Sequence, residues 1–180
     1  VHNDGVMAMA DALKINNTLE CYHLNLDDCQ NVQNEGVMAM ADVLKVNSTL
    51  KSYHIDFSSC SNVHTEGVLA MADALKVNFT LESYHIDVHD CQNVENECVV
   101  AMAGALKVNR TLKSYSIDLR CCFNVQNEGV MAMAHALKVN NTLDSYHMNL
   151  DDCQNVQNDG VMAMADVLKV NITLKSYHID

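Results

Sequence analysis

Residues 34–63 read NEGVMAMADVLKVNSTLKSYHIDFSSCSNV, and two different periods meet inside this stretch. In its first half Val37, Met40, Ala41 and Leu44 fall at i, i+3, i+4 and i+7, one face of an α-helix. Asn34 is placed to cap the N-terminus of that helix, with Glu35 beside the positive end of the dipole and Lys45 near the negative end. Asn47 is expected to stop the helix in the left-handed conformation, which Gly and Asn adopt at little cost. In the second half Tyr53, Ile55 and Phe57 alternate with His54 and Asp56, the period of a β-strand.

The same helix-then-strand text recurs along the whole chain. Thr18, Thr49, Thr80, Thr111, Thr142 and Thr173 are spaced by 31 residues without a slip. The lysines from Lys14 to Lys169 and all six tyrosines from Tyr22 to Tyr177 keep that step. A fixed period of this length predicts a solenoid, in which each unit buries its apolar face against its neighbours. Residues 1–180 therefore form one array of six 31-residue units with no linker. Neither end reads as a polar cap, so the array is expected to belong to a longer chain or a fibre. One helix and one strand per unit predict an α/β architecture with a parallel sheet on one side and helices on the other.

A family pattern lies in the strand half. Leu81, Tyr84, Ile86, Val88, Cys91 and Val94 follow a line that resembles the leucine-rich-repeat consensus, with Tyr where Leu is usual. The helical half, Gly36 to Leu50, is similar to the long, helix-containing class found in ribonuclease inhibitor and NOD-like receptors. The resemblance implies a concave face made by the sheet, a convex face made by the helices, and a non-catalytic scaffold that binds proteins. It also favours a cytoplasmic location.

Composition narrows the partners. The formal charge is −12 with only 11 Lys and Arg, which argues against a nucleic-acid surface. No run approaches the length of a membrane span. Cys29, Cys60, Cys91, Cys122 and Cys153 form a ladder that turns inward at the strand ends. Strand spacing of about 4.8 Å would allow neighbours to pair, but parallel stacking points the five Cβ vectors the same way, so reduced packing thiols are expected. Cys98 stands where the other units have Gly, marking a position for a small residue.

The outward strand positions are the surface to read for function. His23, His54, His85, His147 and His178 share one column, with Ser116 in the gap. The next column holds Asn25, Asp56, Asp87, Asp118, Asn149 and Asp180, and both columns face the same way. Imidazoles beside carboxylates have the chemistry of cation ligands. A duplicated unit repeats its columns without building a site in each, so hydrogen bonding along the ladder is the simpler reading and no metal or other cofactor is assigned. Protonation of the histidine column between pH 7 and 5 is expected to alter binding on this face. The tyrosines and the Met9-to-Met164 column read as core, with the phenol hydroxyls reaching the rim of the strand.

No Ser, Cys or Lys is singled out from its copies by a base and an orienting acid, so no enzyme is expected. The breaks in symmetry are Gly104, His135, Ser116, Arg120, Cys121 and Phe123. The last four belong to the fourth strand and its turn, the best place for a locally docking partner. Asn16, Asn47, Asn78, Asn109, Asn140 and Asn171 each begin an Asn-x-Thr-Leu tetrapeptide. This is either a row of N-glycosylation sites, if the chain is extracellular, or a structural joint in which Asn ends the helix and Thr starts the strand. Three functions fit: a protein-interaction scaffold, a glycosylated structural fibre that self-associates through its ends, and an inhibitor-like regulator of an enzyme.

Overall fold

The computed structural model describes residues 1–180. Helices and strands alternate: α1 (Asn3–Ile15), β1 (Cys21–Asn25), α2 (Asn34–Val46), β2 (Ser52–Asp56), α3 (Thr65–Val77), β3 (Ser83–Asp87), α4 (Asn96–Val108), β4 (Ser114–Asp118), α5 (Asn127–Val139), β5 (Ser145–Asn149), α6 (Asn158–Val167) and β6 (Ser176–Ile179). The six strands form one sheet in chain order. Every pairing is parallel and joins residues 31 apart, as in Tyr22 to Tyr53 and His54 to His85. Each tyrosine lies one residue before the midpoint of its strand in the five-residue strands. The result is the solenoid with one parallel sheet that the period and the helix–strand alternation predicted.

Burial follows the two periods. Val37, Met40, Ala41 and Leu44 of α2 are no more than 1% exposed, and Tyr53, Ile55, Phe57, Cys60 and Val63 of the strand half are fully buried. All 51 buried apolar side chains form a single core between sheet and helices. The tyrosine rings run through it as a ladder with centroids 5.8–6.2 Å apart. Their hydroxyls do not reach the strand rim. Tyr53 and Tyr177 donate inward to the carbonyls of Met40 and Met164, while Tyr22, Tyr84 and Tyr115 carry buried hydroxyls without a partner.

The asparagines do different work from that expected of them. Asn47 has φ −74° and ψ 125°, extended rather than left-handed, and the other sequon asparagines that follow α1, α3, α4 and α5 are similar. The side chain makes the joint instead. Asn109 Nδ2 donates to the carbonyls of Leu75 and Asn78 in the preceding unit, both at 2.9 Å. Its Oδ1 accepts the N–H of Thr111 and of Leu112, each at 3.0 Å. One carboxamide thus satisfies the free carbonyl end of the neighbouring helix and pins its own loop. Thr111 closes the motif with a hydroxyl bond to Asn109 Oδ1 at 3.2 Å. The strand begins only at Ser114, so Thr111 belongs to the joint and does not start the strand.

Helix capping also crosses between units. The residue before each helix makes no side-chain cap bond. Asn96, the first residue of α4, instead accepts the N–H of Gln126 and of Gly129 at the start of α5. Asn127 does the same for Gln157 and Gly160, and Asn34 accepts the His64 N–H. This close approach fixes the glycines. A Cβ at Gly36, Gly67, Gly129 or Gly160 would lie 2.5–2.9 Å from the asparagine oxygen of the preceding unit. Only the third unit has Thr65 in place of that asparagine, and only the unit after it has Cys98 in place of glycine. Thr65 Oγ1 still accepts the Glu95 N–H, and the Cys98 thiol sits 3.6 Å from the Thr65 carbonyl. The two departures are one compensated change.

The left-handed residues are Asp28, Ser59, Asp90, Cys121 and Asp152, with φ from 55° to 59°. They lie in the turn that follows each strand, three residues beyond its end in β1 to β5.

Candidate functional site on the sheet face

Strand alternation puts His54 and Asp56, His85 and Asp87, and their copies on the face away from the core. Those of β2 and β3 are half-buried, Asp118 and Asn149 are buried, and the end residues His23, Asn25, His178 and Asp180 are exposed. The parallel register stacks the columns. His23 and His54 lie face to face at 4.0 Å between ring centroids, and His54 and His85 are 3.9 Å apart but tilted by 51°. Burial, reinforced by His85 and His23, pushes the His54 imidazole down to about 4. Burial lowers His85 as well. His54 is therefore neutral from pH 7 to 5, and the expected protonation over that range does not occur there.

Ser116 interrupts the stack. His147, on its far side, turns its Nδ1 to within 3.3 Å of Ser116 Oγ and its Nε2 to 3.0 Å from Asp180 Oδ2. His178 Nε2 reaches the other Asp180 oxygen at 2.7 Å. The two imidazoles meet edge-on, at 77° and 5.0 Å.

The Asn/Asp column has a structural task that the alternation did not reveal. In each of the first five units this side chain accepts the backbone N–H two residues on, as Asp56 does from Ser58 and Asp118 from Arg120. The residue ends its strand by folding the turn, a task that Asn and Asp perform equally. The repulsion between stacked carboxylates is met locally. Arg120 clamps Asp118 through Nε at 2.9 and 3.0 Å and Nη2 at 2.9 Å. His89 Nδ1 lies 3.1 Å from Asp87. Burial raises Asp87 above the usual carboxylate range, partly offset by the His89 N–H, with Asp118 and Asp56 raising it further.

Four of the six breaks in symmetry fall on the fourth strand and its turn, while Gly104 and His135 lie on α4 and α5. Ser116 and Asp118 lie on β4, and Arg120, Cys121 and Phe123 in the turn beyond it, with Phe123 exposed. All eight cysteines are free thiols. The thiols of Cys60, Cys91, Cys122 and Cys153 donate to carbonyls of the preceding unit at 3.0–3.2 Å. Burial raises the Cys60 and Cys91 thiols to about 11 and 12, which removes them from thiolate chemistry. The four interior sequon asparagines, Asn47, Asn78, Asn109 and Asn140, are at most 6% exposed. Asn171 makes the same inter-unit bonds, while Asn16 is half-buried and donates none. No helix is long and apolar enough to cross a membrane.

Comparison with known proteins agrees with this geometry. Residues 16–41 match the family model described as Leucine Rich repeat. A comparison with curated protein sequences yields no significant match. The fold resembles actin-binding site 2 of leiomodin-1, with a TM-score of 0.62 and 19% identity, covering 93% of this chain and 88% of that one. It also resembles the tropomodulin C-terminal domain of Caenorhabditis elegans, with a TM-score of 0.68 and 11% identity over 92% of each chain. A chain of the yeast Rad7 and Elc1 complex matches with a TM-score of 0.61 and 13% identity, over all of this chain but only 40% of that one. With its six-stranded parallel sheet, its helices on the other side of the core and its inward Leu, Tyr, Ile and Cys ladders, the chain has the fold of a leucine-rich-repeat solenoid, and residues 16–41 match the model of that family.

Proposed function

We propose that the chain is a non-catalytic scaffold that binds a protein on its sheet face, centred on His85, Asp87, Ser116, Asp118 and Arg120. The observation that carries this reading is the division of labour within each unit. The inward side chains, thiols and sequon asparagines are consumed by joints between units, which leaves the outward columns of a rigid sheet to face a partner. His23, His54, His85, His147, His178, Asp56, Asp87, Asp118 and Asp180 supply those columns. The surface depressions support a macromolecular partner over a small substrate, since they are open and lined by side chains such as Gln157, Asn158 and Asp159. Net charge of −12 favours a partner with a basic contact surface. Among the structural neighbours, the leiomodin domain is an actin-binding site and the yeast chain comes from a complex with Elc1.

Monomeric actin is the first partner to test directly, followed by proteins captured from a lysate and then purified. Hydrogen exchange on each purified complex should protect β3–β5 and the turns after them. Asp87→Asn combined with Arg120→Ala should weaken binding at least tenfold, and Met131→Lys on the helical side should leave it unchanged. A footprint confined to the helices would overturn the reading.

A second reading concerns assembly. Met9, Leu13, Leu19 and Tyr22 line an apolar depression on the first unit, and their copies Met40, Leu44, Leu50 and Tyr53 are buried against the unit before them. This surface fits one more unit of the same kind, from this chain or from another copy. Sedimentation over a concentration series tests self-association, with Leu19→Lys expected to abolish it. A monomer at every concentration would overturn association between copies.

The sequon asparagines are joints on this view. A glycan replaces a hydrogen on Nδ2, and Asn47 and Asn109 use that atom for two bonds each inside the array. An intact mass unchanged by an N-glycan amidase is expected for the four interior sites of natively sourced protein.

A further inference from the structure

We propose that His147, His178 and Asp180 form a binding site for one divalent transition ion of the zinc type, bridging β5 and β6. One ligand atom from each of the three residues lies within 4.8 Å of the other two. The imidazole nitrogens stand 2.7 and 3.0 Å from the two oxygens of Asp180. Ligand atoms around a tetrahedral ion with bonds of about 2.0–2.1 Å are separated by roughly 3.3 Å. The two nitrogen–oxygen pairs reach that separation by opening a few tenths of an ångström, and the pair of nitrogens, within 4.8 Å of each other, by a modest turn of the rings. Asp180 is held in the sheet by its backbone, donating to the Met148 carbonyl at 3.2 Å and accepting the Leu150 N–H at 3.0 Å.

The same His-x-Asp text occurs in β2 and β3, yet the site is specific to β5 and β6. Between β1 and β3 the ring centroids lie about 4 Å apart, stacked in one pair and tilted by 51° in the other, and none of these imidazoles comes within bonding reach of an aspartate as His147 and His178 do. Ser116 ends that stack. Its short side chain leaves His147 room to turn, and its hydroxyl engages Nδ1, which leaves Nε2 as the ligand atom. A partner on the second ring nitrogen is what metal-binding histidines require. Asp87, His89 and Asp118 also draw together, but there the Arg120 guanidinium already sits on Asp118 as the cation.

Two imidazoles and one carboxylate suit zinc and its neighbours over calcium or magnesium, which take oxygen ligands. Three protein ligands leave a fourth position, open to water or to a side chain of a docked protein. The repeating columns alone give no reason to place an ion. The reason is the single interruption at Ser116.

Metal-stripped protein, kept reduced with a phosphine, is titrated with zinc chloride by calorimetry and with cobalt(II) by absorption. One ion per chain is expected, with cobalt d–d bands and no intense thiolate-to-cobalt band. His147→Asn should lose at least tenfold in zinc affinity, and His23→Asn, in the same column, should bind as the parent does. Ser116→His should weaken zinc at least tenfold with an unchanged far-ultraviolet spectrum, because the ring stack is restored. Absence of saturable binding would overturn the proposal. So would parental affinity in His147→Asn, or a thiolate band that places the ion on Cys21 or Cys121.

Discussion

At the scale of single residues, the stability of this fold depends on bonds that cross from one unit to the next. Asn109 is fully buried and serves two carbonyls and two N–H groups. Each buried polar group left without a partner costs about 1–3 kcal/mol, so Asn109→Ala should lower unfolding stability by about 3 kcal/mol. Asn109→Asp keeps the acceptor but loses both donors and sets a charge beside two carbonyls, so it should cost no less. Urea unfolding midpoints check both. Thr65 and Cys98 offer a sharper test. Thr65→Asn alone forces an amide against the Cys98 side chain, and Cys98→Gly alone leaves a small void. Together they recreate the Asn–Gly joint of the other units, so the double variant should be more stable than the sum of the singles by about 1–2 kcal/mol. Additive effects would mean that the two sites do not touch. Cys121 holds φ 57° without the local side-chain bonding that Asn or Asp supplies. Cys121→Gly should stabilise the chain by about 1 kcal/mol in the same assay.

At the scale of the element, the helix and strand of each unit were legible because their apolar spacing is short-range, 3.6 residues in one and two in the other. The role of the polar residues was not. Asn34 and Asn47 look like caps for their own helix when a single unit is read, but Asn34 Oδ1 and Asn47 Nδ2 reach backbone groups 30 residues or more away in the chain. The outward histidines were readable as a column, while their electrostatics depend on ring contact that only the sheet creates. A pH dependence follows, and its sign is fixed by His54. The ordinary imidazole value is 6.5 and the folded value is about 4. Above pH 6.5 both states are neutral. Below it the unfolded chain takes up the proton first, so stability falls as pH drops from 6.5 toward 4. Asp87 is raised in the folded state and so gains relative stability only at the acidic end, near and below its folded value. Between pH 7 and 5 the thermal midpoint should therefore decline, and His54→Asn should remove a measurable part of that decline. An identical slope in parent and variant would show that the stacked column is not its source.

At the scale of the whole molecule, near-identical joints make the array a one-dimensional stack, with stability close to a sum of units and interfaces. The unit is therefore the natural piece to remove. Deleting residues 96–126 takes out one helix, one strand and their turn, and joins Glu95 to Asn127 in the original register. The new joint sets Gly129 beneath Thr65, where a small residue suffices. The shortened protein should fold cooperatively with five strands. Its denaturant slope should fall by about one sixth, since that slope scales with the surface exposed on unfolding. Deleting only residues 96–110 removes a helix without its strand and should leave no folded array. The first deletion also removes Ser116 and brings His147 against His85. The histidine column then runs unbroken, the ring of His147 is drawn into the stack, and its Nε2 no longer turns to Asp180. A folded five-unit chain that has lost the cobalt bands of its six-unit parent is the expected result. If the bands persist, the ion is held without help from the break in the column, and Ser116 has no part in orienting His147.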